Sequence, residues 1–267
     1  MACDRIRVGG TISGSTLSGG TVIESQAIGL VDWSAIYSHP GFKGQDWQPY
    51  GADGFTYRPR KRYNARYMTL SVAAWNRDAA GSITSPDGAC GELADNIDLL
   101  MGLFDGEGEQ FILERDQPDG TTRWIRGQLA GPATGVPGPL FTEAHAAYTF
   151  VLPIVCAYPF WQSEAEHSTT LSGADSLVQA GNARIANATL VFAGDGTLTA
   201  DGDTVEVSGS AAAVTVNVGA RSVTMSGGPA DNVFTADQPW WLTFGPGTTT
   251  TSGTASVTVT YRDSFLA

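Results

Sequence analysis

The pattern that most restricts the fold is a two-residue alternation. Residues 66–75, Arg-Tyr-Met-Thr-Leu-Ser-Val-Ala-Ala-Trp, set Met68, Leu70, Val72 and Ala74 on one parity and Thr69 and Ser71 on the other. Side chains of an extended chain point to opposite faces in turn, so this spacing predicts a strand with one face buried and excludes an amphipathic helix. The alternation returns at 146–155, with Tyr148, Phe150 and Leu152 sharing a face. Residues 111–115 and 121–126 flank Asp116-Gln-Pro-Asp-Gly120, whose proline and glycine suit a turn, which predicts a β-hairpin. One segment has a different period: Leu93, Ile97, Leu100, Met101 and Phe104 recur at i, i+4, i+7, i+8 and i+11, predicting a helix over 92–104 that Gly106 and Gly108 stop.

The second part of the chain continues the alternation in shorter runs, at 188–192, 204–208, 213–218, 221–225, 240–244 and 256–261. Gly, Asp and Ser turns separate most of them at the spacing of a β-sandwich. Residues 247–253, nearly all Thr, read as a polar loop. Composition shifts at Phe160/Trp161: 12 basic and 17 acidic residues precede the cut, 3 basic and 10 acidic follow it. The expectation is therefore an all-β protein with one short helix, in two domains, 1–162 and 163–267.

Charge and motifs then remove several function classes. The net charge of −12 disfavours a phosphate backbone or an anionic membrane as main partner, and no apolar run reaches the roughly 18 residues of a membrane helix. The opening Met-Ala-Cys-Asp-Arg-Ile-Arg has charge with no apolar stretch behind it, so the expectation is no secretory leader and synthesis in the cytoplasm. Cys3, Cys90 and Cys156 are odd in number and far apart, which speaks against a disulfide framework or a zinc site. His39, His145 and His167 lie near no other histidine or cysteine, and there is no G-x-S-x-G elbow or phosphate loop. Asp195, Asp201 and Asp203 could offer oxygens to calcium, but their order does not fit the known calcium loop and hairpin turns are the simpler reading. With 27 acids a glycosidase pair could be nominated almost anywhere, so abundance carries no signal. The expectation is no catalytic centre, no metal and no cofactor.

Two local compositions remain. Arg58, Arg60, Lys61 and Arg62, followed by Arg66 and interleaved with Phe55, Tyr57, Tyr63 and Tyr67, mix the arginine and tyrosine that protein interfaces enrich. Arg58, Arg60, Arg62 and Arg66 either pair with acidic surface on a neighbouring subunit or form a solvated lead into the Met68 strand; nucleic acid ranks third. Trp240 and Trp241 are adjacent on an expected strand, so one of them faces away from the core and can meet a sugar or a protein partner.

Taken in order, these segments resemble a known family. Gly181-Asn182 before residues 188–192, then Trp-Trp-Leu-Thr-Phe-Gly-Pro-Gly at 240–247, then Val-Thr-Val-Thr-Tyr-Arg at 257–262, is similar to the C-terminal galectin-like sandwich of siphophage distal tail proteins. The Arg-rich strand over 63–75, the helix around Asp95-Asn-Ile-Asp-Leu-Leu100, the strand at 111–115 and Pro159-Phe-Trp161 resemble that family's tail-tube-like N-terminal domain, especially in minor tail proteins of actinobacteriophages. The resemblance implies a ring, usually a hexamer, that joins the tail tube to baseplate or fibre proteins and surrounds the DNA channel. Implied partners are further copies of the chain, the tail tube protein, tape measure and hub proteins, and tail fibre or receptor-binding proteins. DNA would only pass through, no membrane would be entered, and the chain would reside in the virion tail tip. The competing reading is an adhesin that binds cell-wall glycan through the C-terminal sandwich.

Overall fold

The computed structural model describes residues 6–13, 16–23, 27–32, 34–43, 62–78, 80, 82, 91–104, 110–137, 147–210, 212–225, 228–238 and 241–267. It divides into two compact units, one of Met1–Ser13, Leu17–Trp161 and Ala267, the other of Gly14–Thr16 and Gln162–Leu266. Among the described residues the structure is all-β apart from one α-helix, Gly91–Phe104, and short 3-10 turns.

In the N-terminal unit one antiparallel sheet runs in the order Thr21–Val22, Ile6–Val8, Phe111–Asp116, Thr122–Leu129, Ala147–Cys156, Arg66–Trp75, Ile28–Asp32. Arg66–Trp75 and Ala147–Cys156 pair along their whole length, from Cys156 opposite Arg66 to Ala147 opposite Trp75. The expected alternation is present: Met68, Leu70, Val72 and Ala74 are buried while Tyr67 and Thr69 are exposed. The hairpin from Phe111 to Leu129 closes as expected. Gly120 adopts φ 84°, and Asp119 accepts from both the N–H and the hydroxyl of Thr121 (2.9 and 2.7 Å). These bonds to the ionised carboxylate hold Asp119 below the usual carboxylate range.

The helix lies against Arg66–Trp75 and Ala147–Cys156. It buries Leu100 and Phe104 completely and half-buries Leu93, Ile97 and Met101, and the Phe104 ring meets Phe111 edge-on at 5.2 Å. The glycines expected to stop it, Gly106 and Gly108, lie outside the described residues. Apolar periodicity omits one polar clip. Asn96 donates from Nδ2 to the carbonyls of Trp75 and Arg77 (2.8 Å each), while Asn76 Oδ1 accepts the N–H of Leu93 (3.2 Å), satisfying an orphan donor of the first helical turn. Asn96→Leu is expected to cost about 1–3 kcal/mol, because the Arg77 carbonyl loses the Asn96 donor and the Trp75 carbonyl keeps only the Arg77 N–H (2.9 Å). A urea midpoint equal to that of the wild type would show that the clip contributes nothing.

Residues 9–20, richer in glycine than an opening strand of the resembled family, have a local reason for that composition. A Cβ on Gly10 or Gly20 would overlap the carboxylate of Glu114, which is 2 % exposed and takes a hydrogen bond from Arg7 at 3.0 Å. Glycine is thus required there for close approach to a buried acid.

The C-terminal unit is a sandwich of two antiparallel sheets. One orders His167–Ser172, Ser256–Tyr261, Thr189–Phe192, Val214–Asn217, Ser222–Met225 and Gly228–Pro229; the other orders Asp175–Val178, Thr248–Gly253, Gly196–Ala200, Asp203–Val207 and Phe234–Ala236. Leu190, Phe192, Val216, Val257 and Val259 from the first meet Leu177, Leu198, Ala200 and Val205 from the second in a single core.

Two expectations fail in this unit. Residues 247–253 are no loop: Thr248–Gly253 is a strand between Asp175–Val178 and Gly196–Ala200, with Thr249 and Thr251 buried. Threonine is polar but β-branched, and branching at Cβ suits a pleated, half-buried surface. Conversely, the described part of the run expected at 240–244, residues 241–244, is no regular strand. Trp241 sits at φ 68°, and only Phe244 forms a bridge, with Ile185.

Candidate functional site

The basic segment enters the described structure at a two-stranded ladder, Phe42–Lys43 with Arg62–Tyr63, in which Lys43 stands opposite Arg62. The ladder is held by its neighbours: Asn64 N–H donates to the Gly41 carbonyl at 2.7 Å, and the Tyr63 ring packs between His39 (5.4 Å) and the edge of Phe160 (5.0 Å). Arg58 and Arg60 lie outside the described residues. The backbone of Arg62 belongs to this two-stranded ladder, which is separate from the main N-terminal sheet.

Arg66, expected beside them, is somewhere else. It is 1 % exposed, so in the folded chain its guanidinium is an interior group and not a surface one. The reason is parity: Arg66 shares the alternating face of Met68, Leu70 and Val72, and that face is the core. Burial pushes Arg66 down to about 10, opposed by Cys156 and reinforced by Arg115. Burial pushes the Cys156 thiol up to about 12, with Arg66 opposing. Arg115 is also buried, and its guanidinium lies over the rings of Tyr37 (4.9 Å) and Trp161 (5.0 Å), a cation–π arrangement that replaces part of its lost hydration. Sequence reading did not find Arg115 as a core cation, although its place in the 111–115 strand was legible.

On the C-terminal unit, Trp240 lies outside the described residues. Trp241 is half-buried: its ring packs at a tilt against Phe234, centroids 4.6 Å apart, and joins the sandwich core, while its backbone N–H donates to the Gln238 carbonyl at 2.9 Å. One side of the Trp241 indole is therefore taken up by Phe234.

The three candidate calcium carboxylates do not converge. Asp195 accepts the N–H groups of Gly209 and Ser210 (2.8 and 2.7 Å), and Asp203 is buried. Asp201 takes a hydrogen bond from Arg184, and with Gly202 it forms a two-residue turn with φ 55° and 81°, the type I′ geometry that Asp-Gly favours. Among the described residues no group of His, Cys, Asp or Glu could hold a metal ion. Arg184 also donates to Thr243 Oγ1 (3.1 Å), and beside it Gly245, Pro246 and Thr248 line a polar concavity of about 430 Å³. His167 and Asp263 approach to 3.3 Å, but the imidazole stacks on Tyr261 and Asp263 also accepts the Ala180 N–H, so the pair braces the last strand. Among the described residues no helix is long and apolar enough to cross a membrane.

These features define a class: two all-β modules, an N-terminal sheet backed by a single helix and a C-terminal two-sheet sandwich, with polar groups spent on internal bracing. No protein-family model matches the chain, and no curated protein matches its sequence. Among solved structures it is similar to the crystal structure of the Dit (gp 19.1) protein of phage SPP1, described as a paradigm of hub adsorption apparatus in phages that infect Gram-positive bacteria. The TM-score is 0.60 at 16% identity, over 98% of this chain and 99% of that one. The chain therefore has the fold of a siphophage distal tail protein, as the sequence resemblance implies, from one end to the other.

Proposed function

We propose that the chain is a structural component of a siphophage tail tip, assembling as a ring, a hexamer by the usage of the resembled family, that joins the tail tube to baseplate or fibre proteins. The observation that carries this reading is the coverage of the fold likeness. Both modules match in one alignment of 98% of this chain to 99% of a phage hub protein, with no module missing and none added. In this reading residues 1–162 form the ring and the galectin-like sandwich of 163–267 serves fibre or receptor-binding partners. The tape measure and then DNA pass through the centre. The net charge of −12 suits passage, because an acidic surface repels phosphates and does not retain them. No catalytic step is required.

The test is the native mass of the purified chain, with negative-stain images of the same sample. The expected result is a closed ring of six 28.0 kDa copies with an open centre. A chain that stays monomeric at high micromolar concentration, and also when mixed with its tail tube protein, would overturn the ring.

A further inference from the structure

Among the described residues the C-terminal sandwich has four outermost strands, His167–Ser172 and Gly228–Pro229 in one sheet, Asp175–Val178 and Phe234–Ala236 in the other. A strand at the end of a sheet turns unpaired N–H and C=O groups outward, and folded chains blunt such ends with short strands, proline, charge or bulges. Three of the four are blunted. Gly228–Pro229 is two residues long and its proline has no N–H, and Phe234–Ala236 is three residues long. In Asp175–Val178 side chains take up the backbone: Asp175 Oδ1 accepts the Ser176 N–H at 2.8 Å, and the Tyr261 hydroxyl donates to the Val178 carbonyl at 2.7 Å. His167–Ser172 has none of these devices. It is six residues long, His-Ser-Thr-Thr-Leu-Ser, without proline, carboxylate, lysine or arginine, and it pairs with Ser256–Tyr261 through six successive partners with no bulge. Along an antiparallel pair alternate residues turn their N–H and C=O away from the partner strand. Among the described residues no group meets those of His167–Ser172 on that outer side.

We propose that the outer edge of His167–Ser172 receives an extended, uncharged segment of a partner polypeptide, which joins the sheet as one more strand. An edge of this kind sets the chemistry of its occupant, because amide donors and carbonyl acceptors at strand spacing are satisfied in register by another extended backbone. The side chains set the composition. Ser168, Thr170 and Ser172 are exposed on the outward face, while Leu171 is 1% exposed on the core side. The incoming strand therefore needs small or β-branched polar residues on one parity and apolar ones on the other. Across the sheet the row through Ser168 continues as Thr260, Thr189, Asn217 and Ser222, with no charge, in a chain whose net charge is −12. Recognition there rests on backbone pairing and hydroxyl contacts, and is expected to tolerate salt. Thr170 already makes a contact of this type, its hydroxyl lying 3.2 Å from that of Thr258 on the paired side. That a fibre or receptor-binding protein carries the segment rests on the tail-tip reading; the pairing itself does not.

The probe is a synthetic peptide of residues 256–261, Ser-Val-Thr-Val-Thr-Tyr, the segment that pairs with the inner edge of the same strand. It is titrated into the full chain, and backbone amide exchange is followed residue by residue at low and high salt. The expected result is saturable binding that slows exchange of the outward amides of residues 167–172, equally at both ionic strengths. Two controls separate ladder pairing from mere contact. A peptide with Thr258→Pro and Val259→Pro loses a ladder N–H whichever way it faces, since successive residues point opposite ways, and is expected to bind roughly tenfold more weakly. The chain variant Ser168→Lys with Thr170→Lys, both exposed positions, is expected to melt with the wild type and to lose binding to a similar extent. If that variant fails to fold, the proline peptide decides alone. The proposal is overturned by the absence of saturable binding, by protection elsewhere, such as at 234–236, by equal affinity of the proline peptide, or by binding that salt abolishes. It is also overturned if the amides of 167–172 are all protected in the free, dilute chain. Protection that grows with the chain's own concentration would place a second copy on this edge and overturn it likewise. A peptide that does not bind leaves the ring untouched, and a ring that fails to form while the peptide binds overturns the proposed function and leaves this edge standing.

Discussion

Leu100→Asp is expected to unfold the N-terminal unit. Leu100 is 0% exposed beneath the helix, facing the strands Arg66–Trp75 and Ala147–Cys156. Losing its packing costs about 2–5 kcal/mol by analogy with other large-to-small core changes. The new carboxylate must in addition give up its hydration or bind a proton, and either route adds further cost. A domain holds only about 5–15 kcal/mol in total, so the sum consumes most of it. The neighbouring residue supplies the control. Leu99 is 49% exposed, and Leu99→Asp is expected to change stability by no more than about 0.5 kcal/mol. Circular dichroism melting of both variants checks this. A Leu100→Asp protein that melts with the wild type would mean that the helix does not pack through this face.

That prediction is available from sequence because a helix announces its buried face by period alone. The strands with strict alternation are legible for the same reason. Arg66–Trp75, Ala147–Cys156, Thr189–Phe192 and Ser256–Tyr261 all fall within a residue or two of the expected spans. What fails is polarity used in place of shape. Thr248–Gly253 was expected as a loop because threonine is polar, yet its Cβ branching and its parity, with Thr249 and Thr251 inward, make it an interior strand. Arg66 shows the same error from the other side. Its charge drew it towards the surface, while its parity with Met68 and Leu70 set it in the core, and parity prevailed because the backbone ladder fixes the direction of every side chain at once.

Other features have no local signal. Ile6 pairs with Arg115 and Leu190 with Val259, and nothing near either partner in sequence names the other. Asn96 is one polar residue on an apolar stripe until the carbonyls of Trp75 and Arg77 are seen above it.

The C-terminal sandwich gives the second large effect. Gly253→Ala is expected to destabilise this unit by about 1–3 kcal/mol, the range for overpacking a well-filled site, even though it adds a single methyl. Gly253 pairs with Leu198 at the end of the Thr248–Gly253 strand. A Cβ there would overlap the Thr197 carbonyl oxygen and come within 3.1 Å of its carbon and 3.2 Å of Leu198 Cα. All three are backbone atoms of Gly196–Ala200, which is itself paired to Asp203–Val207, so no rotamer change relieves the overlap and the ladder must shift. Shifting it would also strain the hydrogen bonds from Thr254 and Ala255 N–H to the Thr197 carbonyl (3.1 and 3.4 Å). Gly194→Ala is the matched control. A Cβ at Gly194 meets nothing within 4 Å, and a Gly-to-Ala change at a compatible position is neutral or stabilising by up to about 1 kcal/mol. Urea unfolding of the two variants therefore isolates contact from chain entropy: both lose the same glycine freedom, and only Gly253→Ala forces backbone apart. Equal midpoints would mean that Gly253 does not lie against Leu198, and with that the placement of the threonine strand inside the sandwich would fall.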